Sequence, residues 1–202
     1  MLITEGQLRR IIREELLREV RITPDNLPDG ITFRLFVSST GGMIRVSAKK
    51  HSVEFGEVEA HRVRSEDVPC YGAFEIGNSY SQFRGFGPIL YDIAMEAATA
   101  LGGGLMSDRM SVSDEARPVW SYYQNNRPDV ERLQLDSPQN ELTPIRKDNC
   151  NVMISKRLAD EEMGDEGRWP EYPLSGVYRK PGMETVRRLM DMGKIEVKGM
   201  DI

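Results

Sequence analysis

The strongest constraint on the fold is one succession: a β-prone run over 71–76, the glycine-rich loop Gln82-Phe83-Arg84-Gly85-Phe86-Gly87, and a helix-forming stretch over 88–101. Pro88 suits a first helical turn, where no intrahelical N–H donor is required. Ile89, Leu90, Ile93, Ala94, Ala97 and Leu101 recur on one side of that helix, and Gly102-Gly103-Gly104 stops it. Residues 105–107 supply a further short strand. A second helix opens near Ser113 and runs through Trp120 and Tyr123, with Pro118 kinking it or delaying its start.

Upstream, Thr32–Ser38 and Met43–Lys49 are β-prone runs separated by Thr40-Gly41-Gly42, a hairpin signal, and Val53–Val63 reads as a third strand. Downstream the chain turns polar. Stretches over 133–150 and 159–173 read as surface excursions, with 152–158 between them ambiguous between helix and strand. Gly176–Arg179 reads as the last strand and Met183–Met192 as a short amphipathic helix. The pattern predicts an α+β domain with a mixed, mostly antiparallel sheet flanked by helices.

The chain begins with a different kind of segment. Thr4 and Gln7 have capping-box spacing, and Leu8, Ile11, Ile12 and Leu16 form an apolar stripe. Arg10, Glu14 and Arg18 add opposite charges at helical spacing. This predicts an amphipathic helical arm over 1–22, then a Pro/Gly linker over 23–30, the main domain over 31–180 and a C-terminal helix and tail over 181–202. The arm's stripe either docks on its own domain or serves a partner or a second copy of the chain.

Composition excludes several classes. No apolar run approaches the roughly 20 residues that span a bilayer, and the arm lacks the basic face of a lipid-bound helix. A net charge of −5 argues against broad attraction to nucleic acid. Cys70 and Cys150, the only cysteines, have no close pairing, which fits a reducing cytoplasmic setting better than a disulfide scaffold. His51 and His61 have no metal-ligand spacing with either cysteine, so no metal site is expected, and both read as strand-surface residues.

A glycine-rich loop that opens a helix turns backbone N–H groups toward one point, where the helix dipole also attracts an anion. Gly85 and Gly87 let a phosphate approach the main chain, and Arg84 offers a charge-assisted bond. A nucleotide-triphosphatase loop needs Gly-Lys-Ser/Thr, which is absent. A dinucleotide fingerprint wants a small residue where Leu90 stands. The pattern Q-x-x-G-x-G is complete; the alternative is a tight strand-to-helix turn without ligand.

That pattern, with the order of the central helix, the strand at 104–107 and the helix at 113–123, resembles the general N-acetyltransferase (GNAT) superfamily. Gly85-Phe86-Gly87-Pro88-x-Leu90-Tyr91-Asp92, with Asp108-Arg109 and Val119-Trp120, is also similar to acetyltransferase-like proteins of tailed bacteriophages, and the opening over 3–15 to leader segments of other phage proteins. The resemblance implies acetyl-CoA as cofactor. Gln82, Phe83, Arg84, Gly85, Phe86 and Gly87 would hold its pyrophosphate, with Phe74 and Ile76 at the end of the preceding strand along the pantetheine arm.

The superfamily commonly places a proton-donating tyrosine after Ala-x-x-apolar. Here Ala116-Arg117-Pro118-Val119 is followed by Trp120, whose indole N–H is a very weak acid. Tyr122 is the expected substitute, because Tyr123 falls on the core face with Val119 and Trp120. Glu75 is the expected base, unless strand alternation turns it to solvent, and Asp108 is expected to order a turn with Arg109. Two functions follow. One is acetyl transfer to an unidentified amine. The other is a catalytically quiet fold of the same kind that binds a protein, in a host cytoplasm or a virion.

Overall fold

The computed structural model describes residues 21–63, 70–135, 155, 158 and 172–201. The arm over 1–20, the excursions over 136–150 and 159–171, and most of 152–158 lie outside the described residues.

Strand β1 (Ile31–Val37) alternates without a break: Ile31, Phe33, Leu35 and Val37 are buried, and Thr32, Arg34 and Phe36 are exposed. It pairs antiparallel with β2 (Met43–Lys50), which pairs antiparallel with β3 (Val53–Arg62), which pairs likewise with β4 (Phe74–Ser81). The first hairpin turns at the predicted glycines, with Gly41 at φ 64. The second turns through His51 and Ser52, both at positive φ, so His51 sits in a turn rather than on a strand surface.

Helix α1 (Gly87–Ala100) follows β4 and leads to β5 (Leu105–Met106). Helix α2 (Arg117–Asn126) starts with Pro118 in its first turn, so the proline delays the helix instead of kinking it. Strands β6 (Glu131–Gln134) and β7 (Gly176–Arg179), helix α3 (Glu184–Asp191) and strand β8 (Ile195–Lys198) complete the described chain. The sheet order is β6-β7-β5-β4-β3-β2-β1-β8, a mixed eight-stranded sheet. Among the described residues only the β4–β5 and β1–β8 contacts are parallel. None of the described helices is long and apolar enough to cross a membrane.

The main core joins the inward residues of β1–β4 to α1, α2 and α3. A smaller cluster of Cys70, Ala73, Met106, Leu135 and Val177 lies on the other side of the sheet, as strand alternation with Phe74, Leu105 and Tyr178 requires. Full burial of Met106, Leu135 or Val177 contributes about 1.5–3 kcal/mol each.

Four expectations change. Strand β4 does not end near Gly77. The pairing steps from Ala60–Ile76 to Glu59–Asn78, so Gly77 is the extra residue of a β-bulge and the strand runs on to Ser81. The stretch beginning at Leu133 is not an excursion from its start, since Leu133 and Gln134 belong to β6 and Leu135 is buried. The C-terminal tail is a strand: β8 adds to β1, with Phe33 opposite Ile195 and Leu35 opposite Val197. Finally, Cys70 is disulfide-bonded, against the expectation of unpaired cysteines; Cys150, the only other cysteine, lies outside the described residues.

The arm's last two residues and the start of the linker are fastened to the core. The Ile22 N–H donates to the Gly85 carbonyl at 3.1 Å. The Arg21 guanidinium lies 4.6 Å from the centre of the Tyr122 ring, and Asp25 pairs with Arg188 of α3 at 3.0 Å.

Candidate functional site

The glycine-rich loop is anchored at both ends and exposed between them. The Gln82 N–H donates to Phe55 O at 2.8 Å, and the Ser81 hydroxyl donates to Phe83 O at 2.8 Å. Phe86 is buried with its ring edge-on to Phe55 at 4.9 Å, which ties the start of α1 to β3. Phe83 packs on Phe55 at 4.7 Å yet stays 43% exposed, while Gln82 and Arg84 face solvent.

Gly85 adopts φ 86, the left-handed conformation that glycine takes without steric cost. A Cβ built on Gly87 would meet nothing within 4 Å, so the space over that residue is open to a ligand. Among the described residues, no backbone carbonyl accepts from the N–H groups of Arg84, Gly85 or Gly87. Free amides at a helix N-terminus, glycine at the points of closest approach and a nearby arginine are what a phosphate group requires.

Beyond Glu75, β4 and β5 separate. They pair only at Phe74–Leu105 and Glu75–Met106, and β4 then continues to Ser81 with β5 already finished. The notch this leaves is lined by Ile76–Ser79 of β4, Tyr91 of α1, Asp108, and Ala116 and Trp120 at α2. The bulge at Gly77 falls on this edge. Of the two strand residues expected along a cofactor, Ile76 lines the notch. Phe74 is buried beneath it, its N–H used on Gly104 O at 2.7 Å and its ring under the Arg62 guanidinium at 4.5 Å.

Glu75 is neither turned to solvent nor free. It is half-buried, and its Oε1 accepts the Arg109 N–H at 2.8 Å. Asp108 forms the expected turn, its Oδ1 accepting the N–H groups of Met110 at 2.6 Å and Ser111 at 3.1 Å. Burial raises the Glu75 carboxyl above its ordinary 4.5; the Arg109 N–H opposes the rise and Asp108 adds to it. A carboxyl raised in the folded state binds its proton more tightly than in the unfolded chain. Its contribution therefore favours folding below pH 4.5 and is lost as pH rises through the folded value. Glu75→Gln is expected to gain stability relative to the parent between pH 4.5 and neutral pH, read as the difference in Tm between the two proteins at each end. A difference that does not change with pH would mean that Glu75 titrates as a solvated carboxylate.

The expected proton donor is not at the notch. Trp120 faces it, packed edge-on to Tyr91 at 5.4 Å and against Tyr178 at 5.3 Å. A residue two positions further along an α-helix points roughly 200° away. Tyr122 accordingly lies on another side of α2, where its hydroxyl accepts a hydrogen bond from Arg21. Tyr123 is buried in the core, as expected. The phenol that does line the notch is Tyr91, which donates to Ser79 Oγ at 3.0 Å and is held above its ordinary value by burial.

Sequence reasoning missed the buried polar group behind α1. Asp92 accepts from the Tyr123 hydroxyl at 2.6 Å and from Arg127 at 2.9 and 3.1 Å. Glu96, fully buried, meets Lys180 Nζ at 2.7 Å and accepts the N–H groups of Thr185 and Val186 at 2.8 and 2.9 Å. The Tyr123 hydroxyl oxygen also lies 2.9 Å from Pro88 O, so the group braces the first turn of α1. The available signal was two acids at helical spacing, Asp92 and Glu96, inside an otherwise apolar helix.

The surface face of β2–β4 carries ordinary ion pairs: Arg45 bridges Glu57 and Glu59, and His61 Nε2 lies 3.0 Å from Glu59. Compared with known proteins, the chain matches no family model and no curated protein.

Proposed function

We propose that this chain is an acetyl-CoA-binding protein of the GNAT kind, akin to acetyltransferase-like proteins of tailed bacteriophages, and that it transfers an acetyl group to an amine. The observation that carries the reading is the continuity of two features. The strand that lines the notch, β4, runs on into the loop suited to a phosphate, and the helix that the loop opens, α1, supplies Tyr91 to the same notch. The loop residues Gln82–Gly87 would hold the pyrophosphate through backbone N–H groups and Arg84. The edge of β4 beyond Glu75, at Ile76, would take the pantetheine arm. When bound, the cofactor supplies an acetyl thioester.

The chain's own residues would handle the two proton transfers of acyl transfer. Glu75, raised by burial and held by the Arg109 N–H, would take the proton from the attacking amine. Ser79 and Tyr91 hold a hydroxyl pair within the notch, where the phenol would meet the departing thiolate in place of Tyr122. Trp120, itself buried, forms part of the notch wall.

Trp120 also favours a second reading, binding without turnover, because the position that carries a phenol in the resembled superfamily here carries an indole that cannot act as an acid. Thermal unfolding separates the two. Acetyl-CoA at about 100 times its Kd should stabilise the chain by about 2.7 kcal/mol. Thiol release in the presence of amines should then follow if the protein turns over. Stabilisation without release selects the quiet reading; no shift with acetyl-CoA removes both.

A further inference from the structure

We propose that Ser107 is a binding residue of the notch, its hydroxyl donating to a carbonyl oxygen, of an amide or a thioester, on the molecule that lies along β4. The inference deepens the cofactor reading above and rests on it for the identity of that molecule.

Ser107 directly follows β5 and stands where the two strands part. The parallel register pairs Phe74 with Leu105 and Glu75 with Met106, so the next step along both chains sets Ser107 against Ile76. Paired residues share a face of the sheet, and alternate residues return to it. Phe74 and Leu105 belong to the main core with α1 and α2, whereas Met106 belongs to the cluster on the other side. Ser107 therefore falls on the same face as Ile76, the face from which Tyr91 and Trp120 enter the notch. Ile76 across from it and Asp108 next to it both line the notch. Position 107 thus adjoins the inner end, where the gap between the strands begins.

Its hydroxyl stands apart from the groups around it. Ser107 is 1% exposed, and its Oγ has no hydrogen-bond partner among the described residues. The neighbours are bonded: Glu75 to the Arg109 N–H, Asp108 to the N–H groups of Met110 and Ser111, and Tyr91 to Ser79. A buried hydroxyl without a partner forfeits its hydration and gains nothing in return, a cost that alanine would not carry. A partner that arrives with a ligand accounts for keeping it. Serine turns its Oγ toward such a partner by rotation about one bond, Cα–Cβ. No described residue accepts the Ser107 proton, so the side chain acts as a hydrogen-bond donor and not as an activated nucleophile. Carbonyl oxygens are the acceptors that a chain of amides ending in a thioester brings to the edge of β4.

The test titrates CoA and acetyl-CoA calorimetrically into the full chain, as parent, Ser107→Ala and Ser107→Cys, and follows thermal unfolding of each protein alone. Without ligand, Ser107→Ala should melt at or above the parent temperature, because it deletes an unsatisfied polar atom and little volume. Its affinity for acetyl-CoA should fall about fivefold to tenfold, the loss of one hydrogen bond that leaves a carbonyl unpaired. Ser107→Cys keeps the side chain's shape but offers only a weak donor, and should lose affinity in the same direction. An equal loss for CoA supports an amide as the acceptor; a loss for acetyl-CoA alone supports the acetyl carbonyl. A lower Tm for Ser107→Ala would mean that the hydroxyl is bonded within the chain, and would overturn the proposal. Parent-like affinity for both ligands in both variants would overturn it while the cofactor reading stands. A parent that binds neither ligand overturns the cofactor reading, and the proposal with it.

Discussion

Gly87→Val is expected to fold normally and to lose acetyl-CoA affinity by about a hundredfold or more. Both halves of that expectation follow from one position. Gly87 is the first residue of α1, and a Cβ there meets nothing within 4 Å, so the protein itself offers no clash. Valine also loses less conformational entropy than glycine in a helix. A phosphate that approaches the Gly87 N–H would instead meet the isopropyl group. Gly85 is a weaker probe, because at φ 86 any side chain is strained whether or not a ligand binds. The measurement is calorimetric titration of acetyl-CoA into parent and variant after matched unfolding curves. Parent-like affinity in a folded Gly87→Val chain would remove the loop from the site.

Glu96→Ala carries the largest expected loss of stability, about 3–5 kcal/mol. The carboxylate is fully buried, and three donors converge on it: Lys180 and the N–H groups of Thr185 and Val186 at the start of α3. Alanine would leave Lys180 in the interior with Asp92, at 3.4 Å, as its remaining carboxylate, and would strip the first turn of α3 of its acceptors. Glu96→Gln keeps an acceptor oxygen but turns an amide donor toward donors, so a smaller loss is expected. Urea unfolding at neutral pH measures both. A loss of only about 1 kcal/mol for Glu96→Ala would be that of an ordinary hydrogen bond, and the site would then have to be open to water.

Most of the element order was legible because each element carries a local signal. The strict alternation over 31–37, the glycines at 41–42, and the apolar positions of 89–101 are patterns over a few neighbouring residues, and they produced the first hairpin and α1 nearly in place. Where the local signal was ambiguous, the reading failed in a consistent way. Gly77 looks like a strand end, but a glycine also suits a bulge, and only the partner strand β3 decides between them. Residues 195–198 are too short and too charged to read as a strand alone; β8 forms because β1 presents an unpaired edge.

The candidate site divides along the same line. The residue types that suit a phosphate, Gly85 and Gly87 before Pro88, were determined by sequence, because backbone conformation and the absence of a Cβ are local properties. The facing of side chains was not. Tyr122 lies near Trp120 in the chain, yet the turn of α2 carries its hydroxyl to Arg21 and away from the notch. Tyr91 and Ser79 come from different elements and meet only because α1 packs back across β4. Asp92 and Glu96 find Arg127 and Lys180 through the packing of α1 against distant chain segments. Burial, pairing and the raised Glu75 carboxyl all depend on contacts between residues far apart in sequence, and periodicity along one chain carries no information about them.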